Sequence, residues 1–215
     1  AGVAHELNEP LGNILGFAQL AMKLPELHDQ VEKDLKSIES ASLHAREIIR
    51  KLMTFARQLP PKKAPVNLND VVNEGLYFFE ARCAKAGIQL VRCHAGDIPE
   101  TTIDAGQMNQ VLVNLVVNAI QAMPEGGTLT VEIRALDDAI HLSVEDTGIG
   151  MSEDIMSQIF LPFFTTKDVH EGTGLGLAVV HGIVTSHGGD ITVDTEKGKG
   201  TKFLIRLPIE NNAQV

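Results

Sequence analysis

Residues 114–122 read Asn-Leu-Val-Val-Asn-Ala-Ile-Gln-Ala, and this stretch decides how the larger, C-terminal part of the chain folds. Its apolar residues predict a helix over Gly106–Met123 that is buried on one side. Asn114 and Asn118 are four positions apart, so they project from one face of that helix. Buried amides need hydrogen-bond partners. The two amide oxygens therefore suit either a Mg²⁺ ion that keeps some of its waters or hydrogen bonds from the helix to a loop.

Short segments on both sides of this helix have the composition of strands. They lie at Val66–Leu68, Ile88–Cys93, Thr128–Ala135, Ile140–Glu145, Asp190–Thr195 and Lys202–Pro208. Further helices are predicted from a cap at Asn69 or Asp70 to Lys85, and over Gly174–His187. The order of elements predicts a two-layer α+β domain over residues 66–210, with helices over a mixed sheet that contains antiparallel hairpins. Residues 211–215 are expected to form a frayed tail.

Two glycine-containing loops border this fold. Residues 145–151, Glu-Asp-Thr-Gly-Ile-Gly-Met, end a strand, and Asp146 there could accept a hydrogen bond from an exocyclic amine while the glycines admit a flat ring. An Asx-type turn is the alternative. Residues 172–177, Gly-Thr-Gly-Leu-Gly-Leu, enter a helix, where successive N–H groups can cradle a phosphate. The glycine pattern alone is a weak signal, because it fits neither a dinucleotide-binding fingerprint nor a Walker A loop.

Between these loops, residues 160–167 read Phe-Leu-Pro-Phe-Phe-Thr-Thr-Lys. A core built mainly of aliphatic side chains does not need this concentration of phenylalanine. The segment is instead typical of a lid that closes over a nucleotide, with Lys167 facing phosphate.

The first 58 residues have a helical pattern of their own. One helix is predicted at about 2–23 and another from Asp29 onward, with the turn at 24–28. Apolar positions along the second helix recur at alternating steps of four and three, at Val31, Leu35, Ile38, Ser42 (the polar exception), Ala45, Ile49, Leu52 and Ala56. A hairpin of this size buries little core by itself. A second copy would complete a dimeric four-helix bundle, and packing against the rest of the same chain is the alternative. Residues 59–65 are rich in proline and predict a linker.

A histidine followed by an acid, His5-Glu6, lies near the start of the first helix. On a helix, the imidazole shares a polar face of small residues with Asn8, Glu9, Gly12, Gly16 and Gln19. We therefore expect it to be exposed, either as a nucleophile oriented by Glu6 or as an ordinary surface histidine. A zinc-protease motif is excluded, because Glu9 stands where the second histidine would be.

Composition narrows the functional classes. The 18 basic and 28 acidic residues give a formal charge of −10, which argues against nonspecific binding to nucleic acid or to anionic membranes. There is neither an apolar run of membrane-spanning length nor a visible signal peptide. Cys83 and Cys93 are expected to be free thiols in a reducing, cytoplasmic compartment. Because helical signal begins at Ala1, we expect a fragment of a longer protein, whose membrane attachment is not determined by these residues.

Taken in order, these stretches resemble the H, N, G1, F and G2 boxes of sensor histidine kinases, from His5 to about Pro208. The resemblance implies a dimerisation and histidine-phosphotransfer hairpin over residues 1–58. It also implies a catalytic ATP-binding domain over 66–210, with the sandwich fold shared with gyrase, Hsp90 and MutL. The implied activity is autophosphorylation from ATP and Mg²⁺, followed by transfer to an aspartate of a response regulator receiver domain. A homodimer is implied, with no nucleic acid and no membrane contact within this fragment.

The resemblance also implies residue roles. His5 would be the phosphoacceptor and Glu6 the acid that orients it and takes its proton, while Asn118 would bind Mg²⁺ with help from Asn114. Hydrolytic relatives carry a glutamate at the place of Asn114 to activate water. An amide is a poor base, so the sequence favours a kinase over an ATPase or conformational clamp of the gyrase class. A non-catalytic dimeric scaffold is the third alternative, which the intact boxes disfavour.

The nucleotide contacts follow from the same resemblance. Asp146 would bind the adenine amine, with Thr201 supporting the base through Asp146 or a water. The remaining contacts would come from Gly148, Gly150, Thr166, Lys167, Gly172, Thr173, Gly174, Leu175 and Gly176.

Two positions depart from the family pattern. Many kinases have a lysine where this chain has Gln121, so one phosphate contact is weakened or supplied elsewhere. Bifunctional members often carry Thr or Asn four residues after the phosphoacceptor, where it positions water. Here that position is Glu9, which puts phosphatase activity toward the partner in doubt.

Replacing Glu9 tests the second departure. We expect Glu9→Thr to raise the rate at which the protein dephosphorylates a phosphorylated receiver domain, because the hydroxyl can position water where the carboxylate cannot. The decay of labelled receiver measures this rate. An unchanged rate would show that Glu9 does not limit the reaction.

Overall fold

Two helices at the start of the chain pack against each other in the computed structural model, which describes residues 2–25, 27–56, 60–94, 96, 98–136, 138–166 and 173–209. They are α1, Gly2–Ala21, and α2, Asp29–Ala56. The described residues fall into two compact units: residues 2–56 with 166 and 173–175, and residues 60–165 with 176–209. The domain boundaries expected from the sequence, 1–58, 59–65 and 66–210, stay predictions.

The hairpin buries only part of its apolar pattern. Leu15, Ala18 and Ser42 are buried, whereas Ile14 and Ile38 are exposed by 48% and 43%. On α1, Leu15 and not its neighbour Ile14 is therefore the buried residue of that turn. Gln19 Nε2 donates a 2.7 Å hydrogen bond to Glu39 Oε1 across the two helices. A hairpin with so much apolar surface uncovered has a face for a further partner.

The second unit begins with a short sheet and two short helices. β1, Ala64–Val66, pairs antiparallel with β3, Thr101–Ile103. α3, Leu68–Tyr77, and α4, Glu80–Lys85, follow β1. The prediction of a single helix up to Lys85 was wrong, since residues 78–79 form a turn that separates α3 from α4. β3 is a strand of three residues that the sequence pattern did not reveal.

The cap of α3 also differs from expectation. Asn67 caps the helix, and its side chain accepts a 2.9 Å hydrogen bond from the Asn69 backbone N–H, so neither Asn69 nor Asp70 is the cap. Leu68, expected at the end of a strand, is the first residue of α3 and is completely buried.

A five-stranded sheet forms the base of the second unit, in the order β2-β4-β5-β7-β6. Its strands are β2 (Ile88–His94), β4 (Gly127–Leu136), β5 (Ala139–Asp146), β6 (Asp190–Glu196) and β7 (Gly200–Pro208). β2 and β4 are parallel, and the other neighbours are antiparallel. Alternate residues of β4, Leu129, Val131 and Ile133, are fully buried. Such alternation marks a sheet with one face on the core.

Helices cover that face. α5, Ala105–Ala122, packs on β4, β5 and β7, while α3 and α7, Gly176–Ser186, pack against α5. In α5, the apolar residues at helical spacing from Met108 to Ile120 are buried. α6, Glu153–Met156, is a single turn that precedes the segment predicted as a lid. The arrangement confirms the predicted α+β class with a helical N-terminal part. None of the described helices has the length and apolar composition of a membrane span.

Replacing Asn67 tests the observed cap. Asn67→Ala removes the side-chain acceptor and is expected to lower the free energy of unfolding by about 1 kcal/mol. Urea denaturation of the whole chain measures the change. Asn73→Ala, at an exposed position inside α3, is the matched control and is expected to be neutral or slightly stabilising. Equal loss in both variants would contradict the assignment of Asn67 as the cap.

Candidate nucleotide site

A buried carboxylate ends the central strand of the sheet. Asp146 is the last residue of β5, pairs with Thr201 at the start of β7, and is only 5% exposed. Its Oδ1 accepts a 2.8 Å hydrogen bond from the Gly148 backbone N–H. Burial raises the pKa of this carboxyl above its ordinary value, and the nearby charge of Glu145 adds to the rise. Hydrogen bonds from the backbone N–H groups of Gly148 and Thr201 act in the opposite direction on that pKa.

The loop after Asp146 is fastened on two sides. The Ile149 N–H donates to the Ala122 carbonyl at the end of α5, at 3.0 Å, and the Ile149 carbonyl accepts from the Gly198 N–H, at 2.7 Å. A side chain at Gly148 would collide with the Ala122 carbonyl, and one at Gly150 would collide with the Glu196 carbonyl. Gly150 also has a φ of +60°, which favours glycine. These glycines thus have a structural reason in addition to the predicted role toward a base, which stays a prediction.

Thr201 belongs to a small hydroxyl network beside Asp146. Thr195 Oγ1 accepts a 3.0 Å hydrogen bond from the Met151 N–H and donates one to the Gly200 carbonyl. The hydroxyls of Thr195 and Thr201 are 3.0 Å apart. Because the single hydroxyl proton of Thr195 is already used, Thr201 is the donor in that pair. Sequence reasoning missed Thr195. Its place across the short turn from Thr201 was the available signal, since residues of a hairpin that face each other can be paired from the turn.

Asn114 and Asn118 lie on α5 among buried neighbours, and both are partly exposed. Gly176, the first residue of α7, lies beside the first of them. A Cβ added to Gly176 would be 3.6 Å from Asn114 Oδ1. One amide oxygen is therefore next to the start of a helix, where backbone N–H groups lack partners within the helix.

The glycine loop before α7 is described only in part. Gly174 has a φ of +65°, so α7 begins at Gly176 and not at Gly174 as expected. Leu175 is buried, Thr173 is partly exposed and Thr166 is exposed. Lys167 and Gly172, both predicted to contact phosphate, lie outside the described residues.

The lid segment carries aromatic side chains that are partly or largely exposed. The ring of Phe160 lies 5.2 Å from that of His181 on α7, centroid to centroid. Phe163 is 57% exposed and has a φ of 68°, in a region that residues other than glycine seldom adopt. A residue keeps such a backbone conformation only where the surrounding structure imposes it, and such positions often lie at ligand-binding segments.

His5 and Glu6 lie in α1, and their side chains are outside the described part of the chain. On the same predicted face, Glu9 and Gly12 are exposed. A Cβ added to Gly12 or Gly16 would meet no other atom within 4 Å. The glycines therefore leave the surface of α1 open at these positions.

Within the part of the chain that the structure describes, no group of three or more His, Cys, Asp or Glu side chains could hold a metal ion. A metal at this site would therefore depend on donors of another kind, such as amide oxygens and phosphates.

Comparison with known proteins decides the family. Residues 103–211 match the model of the histidine kinase-, DNA gyrase B- and HSP90-like ATPases, which is just over half of the chain. The chain belongs to this family. Residues 1–60 match the model of the His Kinase A (phospho-acceptor) domain. Together the two matches confirm the predicted resemblance to sensor histidine kinases and the prediction of an ATP-binding domain.

Individual histidine kinases resemble this chain along most of its length. Sensor kinase CckA of Brucella abortus is 37% identical over 222 residues, which is 96% of this chain and 23% of CckA. Full-length ShkA in complex with AMPPNP matches with a TM-score of 0.76 and 27% identity, over 97% of this chain and 45% of ShkA. Histidine kinase ThkA in complex with the response regulator TrrA matches with a TM-score of 0.70 and 26% identity, over 100% of this chain and 62% of ThkA. The chain thus spans less than a quarter of the length of CckA.

The raised pKa of Asp146 predicts a pH effect on stability. A carboxyl whose pKa is higher in the folded state favours folding at acid pH, and that contribution is lost as pH rises through the folded-state pKa. Asp146→Asn lacks this titration. We therefore expect the free energy of unfolding of the wild type to exceed that of Asp146→Asn by more at about pH 4, near the ordinary pKa of an aspartate, than at pH 7.5.

Urea denaturation at the two pH values measures this difference. Asp190→Asn, at an exposed carboxylate that begins β6, is the matched control, and its difference from the wild type should change less. A difference for Asp146→Asn that stays constant with pH would contradict a raised pKa.

Proposed function

We propose that this chain is the catalytic part of a sensor histidine kinase, which transfers the γ-phosphoryl group of ATP to His5 and then to an aspartate of a response regulator. The observation that carries the proposal is the buried Asp146 carboxylate at a strand end, followed by a loop that is hydrogen-bonded to the end of α5. The same helix carries the two amides, and Asn114 lies beside the start of α7. The matches to a phospho-acceptor domain and an ATPase domain in one chain support it. So do solved relatives in complex with AMPPNP and with a response regulator.

Asp146 is the proposed adenine contact. Gly148 and Thr201 donate backbone N–H groups to its carboxylate, which orients the oxygens and favours the ionised form, against the effect of burial on the pKa. An ionised carboxylate accepts hydrogen bonds only, so it selects a base that offers an exocyclic amine. The Thr201 hydroxyl donates its one proton to Thr195, so it would support the base through a water, from which it accepts, and not through the ionised Asp146 carboxylate.

The amides of α5 fit a magnesium ion. Asn118 and Asn114 supply neutral oxygen donors, and Asn114 Oδ1 lies beside the start of α7, where phosphate oxygens are favoured. Mg²⁺ bound there would offset charge on the phosphates. Gly174, Leu175, Thr173 and Gly176 are the proposed phosphate contacts among the described residues. Thr166, Lys167 and Gly172 complete the proposed set.

The chemical step needs few groups of the protein. A ring nitrogen of neutral His5 attacks the γ-phosphorus, the bond to the bridging oxygen breaks, ADP leaves, and Glu6 takes the imidazole proton. Asn114 stands where hydrolytic relatives place a glutamate, and an amide does not activate water. This supports transfer to histidine over hydrolysis.

A homodimer is proposed through the hairpin. Phe17 and Leu20 of α1 are exposed by 72% and 60%, and Leu43 of α2 by 49%. Apolar surface of this extent on two helices is typical of a bundle completed by a second hairpin. A cytoplasmic location, and a receiver domain as the partner, belong to the same proposal.

Labelling with γ-³²P-ATP and Mg²⁺ tests the function. We expect label on the protein that is stable to alkali and labile to acid, as phosphohistidine is, and complete loss of label in His5→Ala. His28→Asn is the matched control within the hairpin. In the wild type, His28 Nδ1 accepts a 3.3 Å hydrogen bond from the Gln30 backbone N–H, and the asparagine oxygen can replace that acceptor. This variant should label like the wild type.

Other outcomes would overturn the proposal. Label that persists in His5→Ala would refute His5 as the acceptor. Release of free phosphate without covalent label would favour an ATPase or clamp of the gyrase class. Failure to bind nucleotide with Mg²⁺ would favour a non-catalytic scaffold.

A further inference from the structure

We propose that His187 is a positioning residue of the nucleotide site: its neutral imidazole fastens the end of α7 to the start of α5 and thereby holds Gly176 beside Asn114. The inference rests on the proposed function, because it takes Asn114 and Gly176 as contacts of the bound nucleotide. His187 itself is not next to these two residues. It follows the last residue of α7 and lies at the start of α5, whereas Gly176 begins α7 and Asn114 is in the middle of α5.

The ring of His187 is buried, and both of its nitrogens have partners. The residue is 4% exposed. Nδ1 lies 2.8 Å from the Ile183 carbonyl of α7, and Nε2 accepts a 3.0 Å hydrogen bond from the Asp104 backbone N–H. A carbonyl only accepts and a backbone N–H only donates, so the proton must be on Nδ1 and the lone pair on Nε2. The surroundings therefore specify one neutral tautomer.

Asp104 is the residue that starts α5. Its Oδ1 caps the helix by accepting from the Gln107 N–H at 3.0 Å, and its Oδ2 accepts from the Lys62 N–H at 2.8 Å. With its own N–H bound to His187, Asp104 is held by the helix it caps, by the segment before β1 and by α7. A contact to Asp104 is thus a contact to the fixed end of α5.

The two helices are in contact at two places. Along α5 the chain runs from the cap Asp104 to Asn114, and along α7 it runs from Gly176 to His187, just after the helix ends. Because His187 meets Asp104 and Gly176 meets Asn114, the helices are antiparallel. At 1.5 Å per residue, the two spans are about 15 Å and about 17 Å long. The bond between His187 and Asp104 closes one end, and Gly176 beside Asn114 forms the other. If α7 slides along α5, the hydrogen bond at Asp104 must break. The imidazole therefore sets where the start of α7 lies relative to the amides.

Protonation would open this contact, because a second proton on Nε2 would point at the Asp104 N–H. The charged groups that act on the ring are Asp104, which favours the cation, and Lys63, which disfavours it. Burial is the largest influence and lowers the pKa of His187 below its usual value. The contribution of the contact to stability is therefore complete above about pH 6.5, the pKa of a free histidine, and is lost as pH falls through the lower folded-state pKa.

Affinity for AMPPNP with Mg²⁺, measured by calorimetry on the full chain, tests the inference. His187→Leu leaves the Asp104 N–H buried without an acceptor, and we expect it to weaken binding roughly fivefold to tenfold at pH 7.5. His187→Gln keeps an acceptor oxygen but does not titrate, so its affinity at pH 7.5 should stay within about twofold of wild type. Between pH 7.5 and 5, the wild type should lose several-fold more affinity than His187→Gln.

The comparison between variants removes other titrations. Other groups that take up protons in this range, including the nucleotide, do so equally in the wild type and in His187→Gln. His141→Gln, on β5, is the matched control and should follow the wild-type pH profile. ¹⁵N NMR of the histidine rings gives a second readout that does not need a variant: His187 should carry its proton on Nδ1 at pH 7.5.

Identical pH profiles for the wild type and His187→Gln, or a proton on Nε2 at pH 7.5, would overturn the positioning role even if His187→Leu does not fold. Either result would leave the proposed kinase intact, since the wild type would still bind the analogue. Wild-type protein that binds no AMPPNP would overturn the proposed function, and this inference with it.

Discussion

The one-sided burial of α5 is the constraint on which the second unit depends. One side of this helix is entirely apolar and packs on the central strands, where Leu112, Leu115 and Val116 are almost or completely buried. That packing leaves no freedom to rotate the helix. Asn114 and Asn118 are consequently held at the margin of the core, at fixed height above the sheet. An apolar contact with no chemistry of its own thus sets the direction of the two side chains proposed to bind the metal.

The sequence specifies the site better than it specifies the start of the domain. Asp146, Gly148 and Gly150 are close in sequence, so a strand followed by a glycine loop already fixes their mutual positions. The cap at Asn67 could not be chosen over Asn69 from local pattern, because the choice depends on β1, which is a strand only through its pairing with β3. A three-residue strand has no periodicity of its own to detect.

His187 shows the same difference between features set by local sequence and features set by tertiary packing. His187 has no metal-ligand spacing and is not near any recognised motif in the sequence. Its position follows from the antiparallel packing of α7 on α5, and this is a tertiary arrangement. Polar residues buried by tertiary packing are invisible to motif and periodicity, whereas residues grouped by a turn or a helical repeat can be predicted.

The parallel pair of strands has a consequence for how the unit folds. β4–β5 and β6–β7 are hairpins that can form locally, whereas β2 must wait until the chain has crossed over through β3 and α5 before Ile88 can meet Gly127. β1 waits likewise, since Ala64 pairs with Ile103. Closing such long loops costs conformational entropy before the stabilising contacts form, so strand pairings of this kind are slow. β1, the first strand along the chain, is therefore among the last parts of the unit to assemble, after the two hairpins of the sheet have formed.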